Sequence, residues 1–295
     1  MDKVVVIGGA GFIGSHTADA LSNEGYKVTI FDKYNSPWLR DDQEMVLGDI
    51  LDRDAVEKVV SGSKYVYHYA GIADIGAAAE RPFDTVNLNV LGTTVVLEAA
   101  VKANVERFIY ASTMYVYSPY GSFYRASKQA AEIVVEAYHD KFNLDYTFLR
   151  YGSLYGPRAQ DWNGLRGFIK QVVKEGKLDY FGSGKERREY IHVLDAARLS
   201  VDVLDEAHNN TAIIVTGSQI LNSTELIDMI FEIAGCEKNV KFEANKNNDN
   251  HYTMTPYRYT PKKAKKLVPD EFMDVGQGIL ELVEEIHGVI DSDDN

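Results

Sequence analysis

The sequence predicts an α/β fold in which a parallel sheet of about seven strands carries helices on both faces. Three observations predict it. The chain opens on four consecutive apolar residues, Val4-Val5-Val6-Ile7, which suit a strand buried on both faces. Glycines follow at once at Gly8, Gly11 and Gly14, and the segment after them, through Leu21, is rich in small residues and reads as a helix. Strand-like and helix-like segments then alternate to about residue 152. A strand, a glycine-rich turn and a helix in this order predict a Rossmann-type, doubly wound sheet that binds a dinucleotide. Gly8, Gly11 and Gly14, with Phe12 and Ile13 between them, form the expected cofactor turn. There the backbone approaches a pyrophosphate seated on the positive end of the helix.

The second strand, residues 27–32, ends in Asp32, 18 residues after Gly14. A carboxylate at that point accepts hydrogen bonds from ribose hydroxyls and repels a 2′-phosphate, so NAD is expected over NADP. Lys33 beside it weakens that exclusion slightly. A third strand is expected at 43–47 and leads to Gly48-Asp49-Ile50 and a helix at 53–61. A fourth strand is expected from Tyr65 and exits through Tyr69, Ala70 and Gly71, where small residues let the backbone come close to a cofactor. His68 reads as a satisfied strand histidine. A long helix is expected over 85–103 and a fifth strand at 108–113, ending in Ser112-Thr113. Another long helix should open at Tyr124, and a sixth strand should fill 144–150.

The rhythm changes after Gly152. Residues 156–189 hold Pro157, six glycines and eight basic residues and read as the start of a smaller C-terminal substrate-binding lobe. The expected division is a dinucleotide-binding domain over 1–155, with later contributions near 189–217, and a substrate lobe over 156–295. Helices are expected at 165–174, at 195–204, and at 224–233 with Ser223 as the cap. The lysine-rich run of Lys262, Lys263, Lys265 and Lys266 reads as a solvated helix face.

Composition narrows the function. The chain of 295 residues is 45% hydrophobic and 25% charged, with a formal net charge of −13, which argues against nucleic acid or an acidic membrane as partner. The single cysteine, Cys236, allows no intrachain disulfide. The seven histidines lack metal-binding spacing, so no metal site is expected. Neither a signal-peptide pattern nor a membrane-length apolar stretch is present in the sequence, which predicts a cytoplasmic location.

Tyr124 and Lys128 lie four apart and share one face of a helix. A free tyrosine titrates near about 10 and is a poor base at neutral pH. An adjacent ammonium favours the phenolate, as would the positive ring of bound NAD. The pair is therefore expected to act as general base on an alcohol or sugar hydroxyl, with the Thr113 hydroxyl on the same oxygen.

These segments resemble the extended short-chain dehydrogenases/reductases of the NAD-dependent epimerase/dehydratase family. The resemblance runs from residue 3 to about residue 200. It rests on Gly8-Gly9-Ala10-Gly11-Phe12-Ile13-Gly14, Asp32, Gly48-Asp49-Ile50, His68-Tyr69-Ala70-Gly71 and Asn89-Val90-Leu91-Gly92-Thr93. It continues through Ala111-Ser112-Thr113, the segment from Tyr124 to Lys128, Leu149-Arg150-Tyr151-Gly152-Ser153-Leu154-Tyr155-Gly156-Pro157-Arg158 and Arg188-Glu189-Tyr190-Ile191-His192-Val193. It implies that Asp49 and Ile50 flank the adenine and that Lys128 also holds the nicotinamide ribose. Tyr69, Asn89 and Tyr151, which fall in matched segments, join the implied cofactor contacts. A nucleotide-diphosphate sugar is the implied substrate, with Arg188, and more loosely Arg258, on the diphosphate. A guanidinium fork suits phosphate oxygens.

Three departures from the family shape the expected activity. Family dehydratases place Asp-Glu directly after the catalytic threonine and related decarboxylases place a Glu there, whereas this chain has Met114 and Tyr115. The 3,5-epimerase/reductases use a cysteine beside the serine or threonine, and Cys236 is far away. Only ten residues separate Thr113 from Tyr124, and Ser153 stands where epimerases often have a substrate-contacting asparagine, so the sugar pocket is more open or differently walled. The expected activity is NAD-dependent 4-epimerisation of a nucleotide-diphosphate sugar through a transient 4-keto sugar. An NAD-linked sugar dehydrogenase or 4-keto-sugar reductase shares the same residues, and a non-catalytic dinucleotide sensor is the remaining reading. The apolar residues Val90, Leu91, Val95, Val96 and Leu97, and Ala130, Ala131, Ile133, Val134 and Val135, point around two helices. That pattern predicts a homodimer through a four-helix interface, with Val96 on the outer face.

Overall fold

The computed structural model describes residues 1–243 and 251–257. The strands are β1 (Lys3–Ile7), β2 (Lys27–Asp32), β3 (Gln43–Leu47), β4 (Tyr65–His68), β5 (Arg107–Thr113), β6 (Asp145–Tyr151), β7 (Ser153–Tyr155), β8 (Leu178–Phe181), β9 (Arg187–His192), β10 (Thr211–Val215), β11 (Ile220–Asn222) and β12 (Val240–Glu243). The α-helices are α1 (Phe12–Asn23), α2 (Arg53–Val60), α3 (Ile75–Glu80), α4 (Pro82–Val86), α5 (Gly92–Lys102), α6 (Ser122–Phe142), α7 (Gly164–Glu175), α8 (Val193–Asp202) and α9 (Ser223–Ala234).

Seven strands form one sheet in the order β10-β6-β5-β4-β1-β2-β3, and every neighbouring pair is parallel. Strand periodicity explains its two cores. Val5 and Ile7 of β1 pack with Phe31, Phe108, Tyr110 and Phe148 under α2, α5 and α6. Val4 and Val6 face the other way and pack with Ile30, Tyr67, Ile109 and Leu149 under α1 and α8. The apolar run that opens the chain is thus consumed on both faces of a central strand. No helix among the described residues is long and apolar enough to cross a membrane.

The smaller sheets are β11-β9-β7 and β12-β8, and α7 and α9 pack with β8 around Leu165, Val172, Leu178, Ile227 and Phe231. The chain returns to the large sheet through α8, which packs on α1, and through β10 at its edge. β9 instead joins the small sheet. Its burial alternates along the strand, as suits a sheet with one covered face.

Three local expectations are corrected. The helix expected over 85–103 is α4 and α5 joined by a π turn, Asn87–Leu91. The cap of α9 is Asn222, not Ser223. The Asn222 side chain accepts from Glu225 N–H while Glu225 reaches back to the Asn222 N–H, a reciprocal capping box. Val96 is 0% exposed and belongs to the core between α5 and the sheet, so it is not an outer-face residue. The lysine run from Lys262 to Lys266 lies outside the described residues.

Candidate active site

The turn after β1 is built for close backbone approach. At Gly8 (φ +83°) a Cβ would stand 2.4 Å from Ala70 N, and at Gly14 one would stand 2.3 Å from the Gly8 carbonyl oxygen. The first turn of α1 carries neither a side-chain cap nor an acidic residue. Its backbone N–H groups, including those of Phe12 and Ile13, therefore offer a positive end to an anion. Asp32 braces this turn: its Oδ2 accepts from Ala10 N–H at 3.0 Å and its Oδ1 from Tyr34 N–H at 3.1 Å. A glycine cradle on a helix N-terminus, with a carboxylate at the end of the adjacent strand, fits the pyrophosphate and adenosine ribose of NAD. Asp32→Ala is expected to weaken NAD binding about ten-fold or more and to narrow the preference over NADP, because a charged acceptor is lost. Titrating both cofactors against both proteins measures this. A wild type that binds NADP more tightly than NAD would contradict the assignment.

Further along the same edge, Asp49 Oδ1 accepts from Leu51 N–H at 3.0 Å, and its Oδ2 pairs with the Lys33 ammonium at 3.2 Å. The backbone hydrogen bond first, and Lys33 after it, hold this carboxyl below the usual range. Ile50 is buried against Gly92, where a Cβ would meet its Cδ1 at 2.4 Å. Asn89 sits buried in the π turn. It accepts from Ile72 N–H at 2.7 Å and donates to Ile72 O and to Ser127 Oγ, which ties the Gly71 loop to α6. The Tyr69 and Tyr151 hydroxyls are engaged in a buried chain from Thr17 through Tyr69 and Tyr151 to Ser200. Any cofactor contact from these two falls to their rings or backbone.

Thr113 ends β5, and its Oγ1 accepts from Tyr115 N–H at 3.3 Å. Tyr124 lies in the first turn of α6, and the Thr113 hydroxyl favours its phenolate. The electrostatics differ from expectation. Lys128 donates from Nζ to the Ala111 carbonyl at 2.8 Å and lies 4.8 Å over the Tyr110 ring. Burial pushes Tyr124 up to about 12, against the pull of Thr113. Burial also pushes Lys128 down to about 8, with the Glu132 carboxylate opposing. Desolvation is thus the largest influence on Tyr124 and disfavours its phenolate. His68 is buried, accepts or donates at Nε2 to Thr93 Oγ1 at 3.0 Å, and is pushed down to about 3 by burial, which makes it a neutral core group.

Sequence reasoning missed the wall facing Tyr124. Residues 251–257 run beside β9: Arg187 N–H donates to the Thr253 carbonyl, and Glu189 N–H to Thr255 Oγ1. This brings His251 and Tyr252 to Tyr115. The Tyr115 hydroxyl and His251 Nδ1 are 2.7 Å apart, and the Tyr115 and Tyr252 rings have centroids 4.5 Å apart. Ile75, Tyr115 and Tyr252 form one cluster, with Tyr120 and Tyr124 packed against it. Arg188 donates to the Tyr252 carbonyl at 3.2 Å, stacks 4.8 Å over its ring, and lies beside the Tyr115 hydroxyl. The short loop before α6 therefore leaves an aromatic cluster packed beside Tyr124. Ser153 opens β7 opposite Tyr190 of β9, on the small sheet that carries Arg188. Arg258 lies outside the described residues.

A glycine turn on α1 and a Thr, Tyr and Lys set carried by β5 and α6 of a seven-stranded parallel sheet define the extended short-chain dehydrogenase/reductase class. A model of the NAD dependent epimerase/dehydratase family matches residues 4–217, and the chain belongs to that family. The cofactor expected from the sequence, NAD, is the one the family uses. A protein of Methanocaldococcus jannaschii named as a putative UDP-glucose 4-epimerase is 28% identical over 95% of this chain and 97% of its own length. A dTDP-glucose 4,6-dehydratase of Streptomyces niveus is 29% identical over 79% of this chain and 78% of its own. The crystal structure of a Thermotoga maritima UDP-glucose 4-epimerase with UDP-glucose superposes with a TM-score of 0.80 at 26% identity, covering 88% of this chain and 90% of that one.

Proposed function

We propose that this protein is a 4-epimerase of a nucleotide-diphosphate sugar, UDP-linked, working with bound NAD in the cytoplasm. The observation that carries this reading is Met114-Tyr115, where a carboxylate would serve dehydration, directly after Thr113 at the end of β5, with Tyr124 in the first turn of α6. Epimerisation at C4 requires one proton to leave and return at one oxygen, and no second base. Tyr124 is the group that takes and restores the C4 hydroxyl proton, and Thr113 holds that oxygen. NAD bound at the glycine turn supplies the acceptance and return of hydride at C4. Elimination of water across C5 and C6 needs a further base on a sugar carbon. Met114 is a fully buried thioether, and the Tyr115 hydroxyl is already engaged with His251 Nδ1 at 2.7 Å. Neither takes such a proton. Arg188, together with Arg258, is assigned to the diphosphate, and Ser153 to the sugar side. The names of the Methanocaldococcus and Thermotoga relatives support the uridine nucleotide and the reaction.

Incubation with UDP-glucose and NAD should yield UDP-galactose without accumulation of NADH. NADH appearing in proportion to sugar consumed would make the protein a dehydrogenase instead.

We also infer a homodimer through α4, α5 and α6. On α6, Phe123, Ala126, Ile133 and Ala137 are exposed and Ala130 is half-buried, a three-four spacing along one face, with Ile133 65% exposed. Phe83, Val86 and Leu91 are exposed on the neighbouring helical run. A second copy covering both stripes makes the four-helix interface. Light scattering at micromolar concentration should give twice the chain mass of 33.0 kDa, and Ile133→Glu should halve it. A wild-type mass of one chain, independent of concentration, would exclude the dimer.

A further inference from the structure

We propose that Tyr115 and His251 form a donor–acceptor pair that binds the pyranose ring and sets sugar specificity. This rests on the reading of Thr113 and Tyr124 as the groups at the reacting hydroxyl and of Arg188 as a diphosphate ligand. The pair stands between these two positions. Tyr115 is two residues from Thr113, and its ring meets that of Tyr124 edge-on with centroids 6.1 Å apart. On its other side it neighbours Arg188 and stacks with Tyr252. A sugar linked to a diphosphate at one end and reacting at C4 with the other must cross that interval.

The chemistry of the pair matches a polyol. The Tyr115 hydroxyl and His251 Nδ1 share one hydrogen bond of 2.7 Å. If the phenol donates, the imidazole proton is on Nε2 and the phenol oxygen keeps acceptor capacity. If the imidazole donates from Nδ1, the phenol proton and the Nε2 lone pair are the remaining groups. Either tautomer gives the pair one further donor and one further acceptor, which is what a sugar hydroxyl pairs with. The Arg188 guanidinium beside the phenol oxygen favours the first arrangement. Burial raises the Tyr115 phenol, and partial desolvation followed by the nearby Arg188 charge lowers the His251 imidazolium, so both shifts favour the uncharged forms. The phenol is also held in place. A Cβ on Gly121 would reach 2.7 Å from Tyr115 Cδ1, so the loop before α6 packs directly on its ring. His251 is delivered by the segment whose backbone is hydrogen-bonded along β9 through Thr253 and Thr255.

The test compares binding of UDP-glucose with binding of UDP by titration calorimetry, on wild type, Tyr115→Phe and His251→Ala, with NAD present. The same comparison is run with dTDP-glucose and dTDP. Wild type should bind the sugar nucleotide more tightly than the bare nucleotide. Each variant should lose about five- to ten-fold in affinity for the sugar nucleotide while its affinity for the bare nucleotide and for NAD stays within two-fold. The double variant should lose no more than the weaker single, because the two groups act as one pair. In turnover, KM should rise by the same factor with kcat changed less than about three-fold. Equal losses for sugar nucleotide and bare nucleotide would overturn the proposal, since the pair would then shape the whole lobe. Unchanged affinity in both variants would overturn it as well, as would a wild type with no preference for the sugar nucleotide. The epimerase reading is judged separately by the interconversion of UDP-glucose and UDP-galactose in wild type, so either can fail alone.

Discussion

Tyr124→Phe lowers turnover by about 10²- to 10⁴-fold and leaves NAD binding intact, the loss expected when a positioned acid–base group is removed. Only an oxygen is deleted. The ring keeps its edge contact with Tyr115, and Lys128 keeps its hydrogen bond to Ala111 O. The size of the effect follows from what the hydroxyl must do. Burial holds Tyr124 at about 12, five pH units above neutrality, or about 7 kcal/mol against ionisation at pH 7. Thr113 already pulls that value down, and the positive ring of NAD would act in the same direction. Phenylalanine has nothing to ionise, so the whole arrangement loses its object. Steady-state rates and an NAD titration on the same preparation check this. A variant that keeps more than a few per cent of activity would place at most about 2 kcal/mol of barrier on Tyr124 and assign the base elsewhere.

The Rossmann half was legible because its signals are local. Four apolar residues before a glycine turn, an acid at the end of the next strand and a Tyr-Lys pair one helical turn apart are each readable within a few residues. The wall opposite Tyr124 was not. Tyr115 and His251 are 136 residues apart in sequence and meet because residues 251–257 lie along β9, which no local pattern announces. Val96 misled for the opposite reason. A helix apolar nearly all round marks burial on two sides, but it does not say which side a neighbouring helix of the same chain covers, and α2 and α6 both pack on α5. Two corrections did have a signal. Asn222 with Glu225 three residues on is the pattern of a capping box and outranks Ser223. Likewise, the Lys128 ammonium and the positive ring of NAD are charges that the sequence suggests, whereas the place of Tyr124 beside an aromatic cluster brings desolvation in first.

Behind Thr113, Tyr124 and Lys128 lies a buried ion pair whose disruption is expected to cost the fold most. Glu132 is one helical turn beyond Lys128 on α6. It accepts from Ser112 Oγ at 2.6 Å and from Arg150 Nε and Nη2 at 2.9 and 2.7 Å. Arg150 also donates to the Tyr117 hydroxyl and lies 4.8 Å over that ring. The two side chains are 16% and 10% exposed for Arg150 and Glu132 respectively, so neither charge has much water to fall back on. Ser112 and Arg150 are register partners on β5 and β6, which means that one carboxylate ties α6 to both strands beside Thr113. Glu132→Ala leaves the guanidinium and a hydroxyl unpaired and should destabilise the protein by about 3–5 kcal/mol. The thermal midpoint should fall by on the order of 10 °C. Replacing both partners, Glu132→Met with Arg150→Met, should recover much of the loss, because no charge is then stranded. Glu132→Gln separates the electrostatic part. The carboxylate is what raises Lys128 against burial, so its removal lowers that value below about 8. Activity that needs the ammonium falls as pH rises through the lysine's pKa, and in Glu132→Gln this fall should begin at a lower pH. A thermal midpoint within about 2 °C of wild type in Glu132→Ala would show that the pair is not a linchpin of the fold. An unmoved pH profile in Glu132→Gln would show that Lys128 does not sense it.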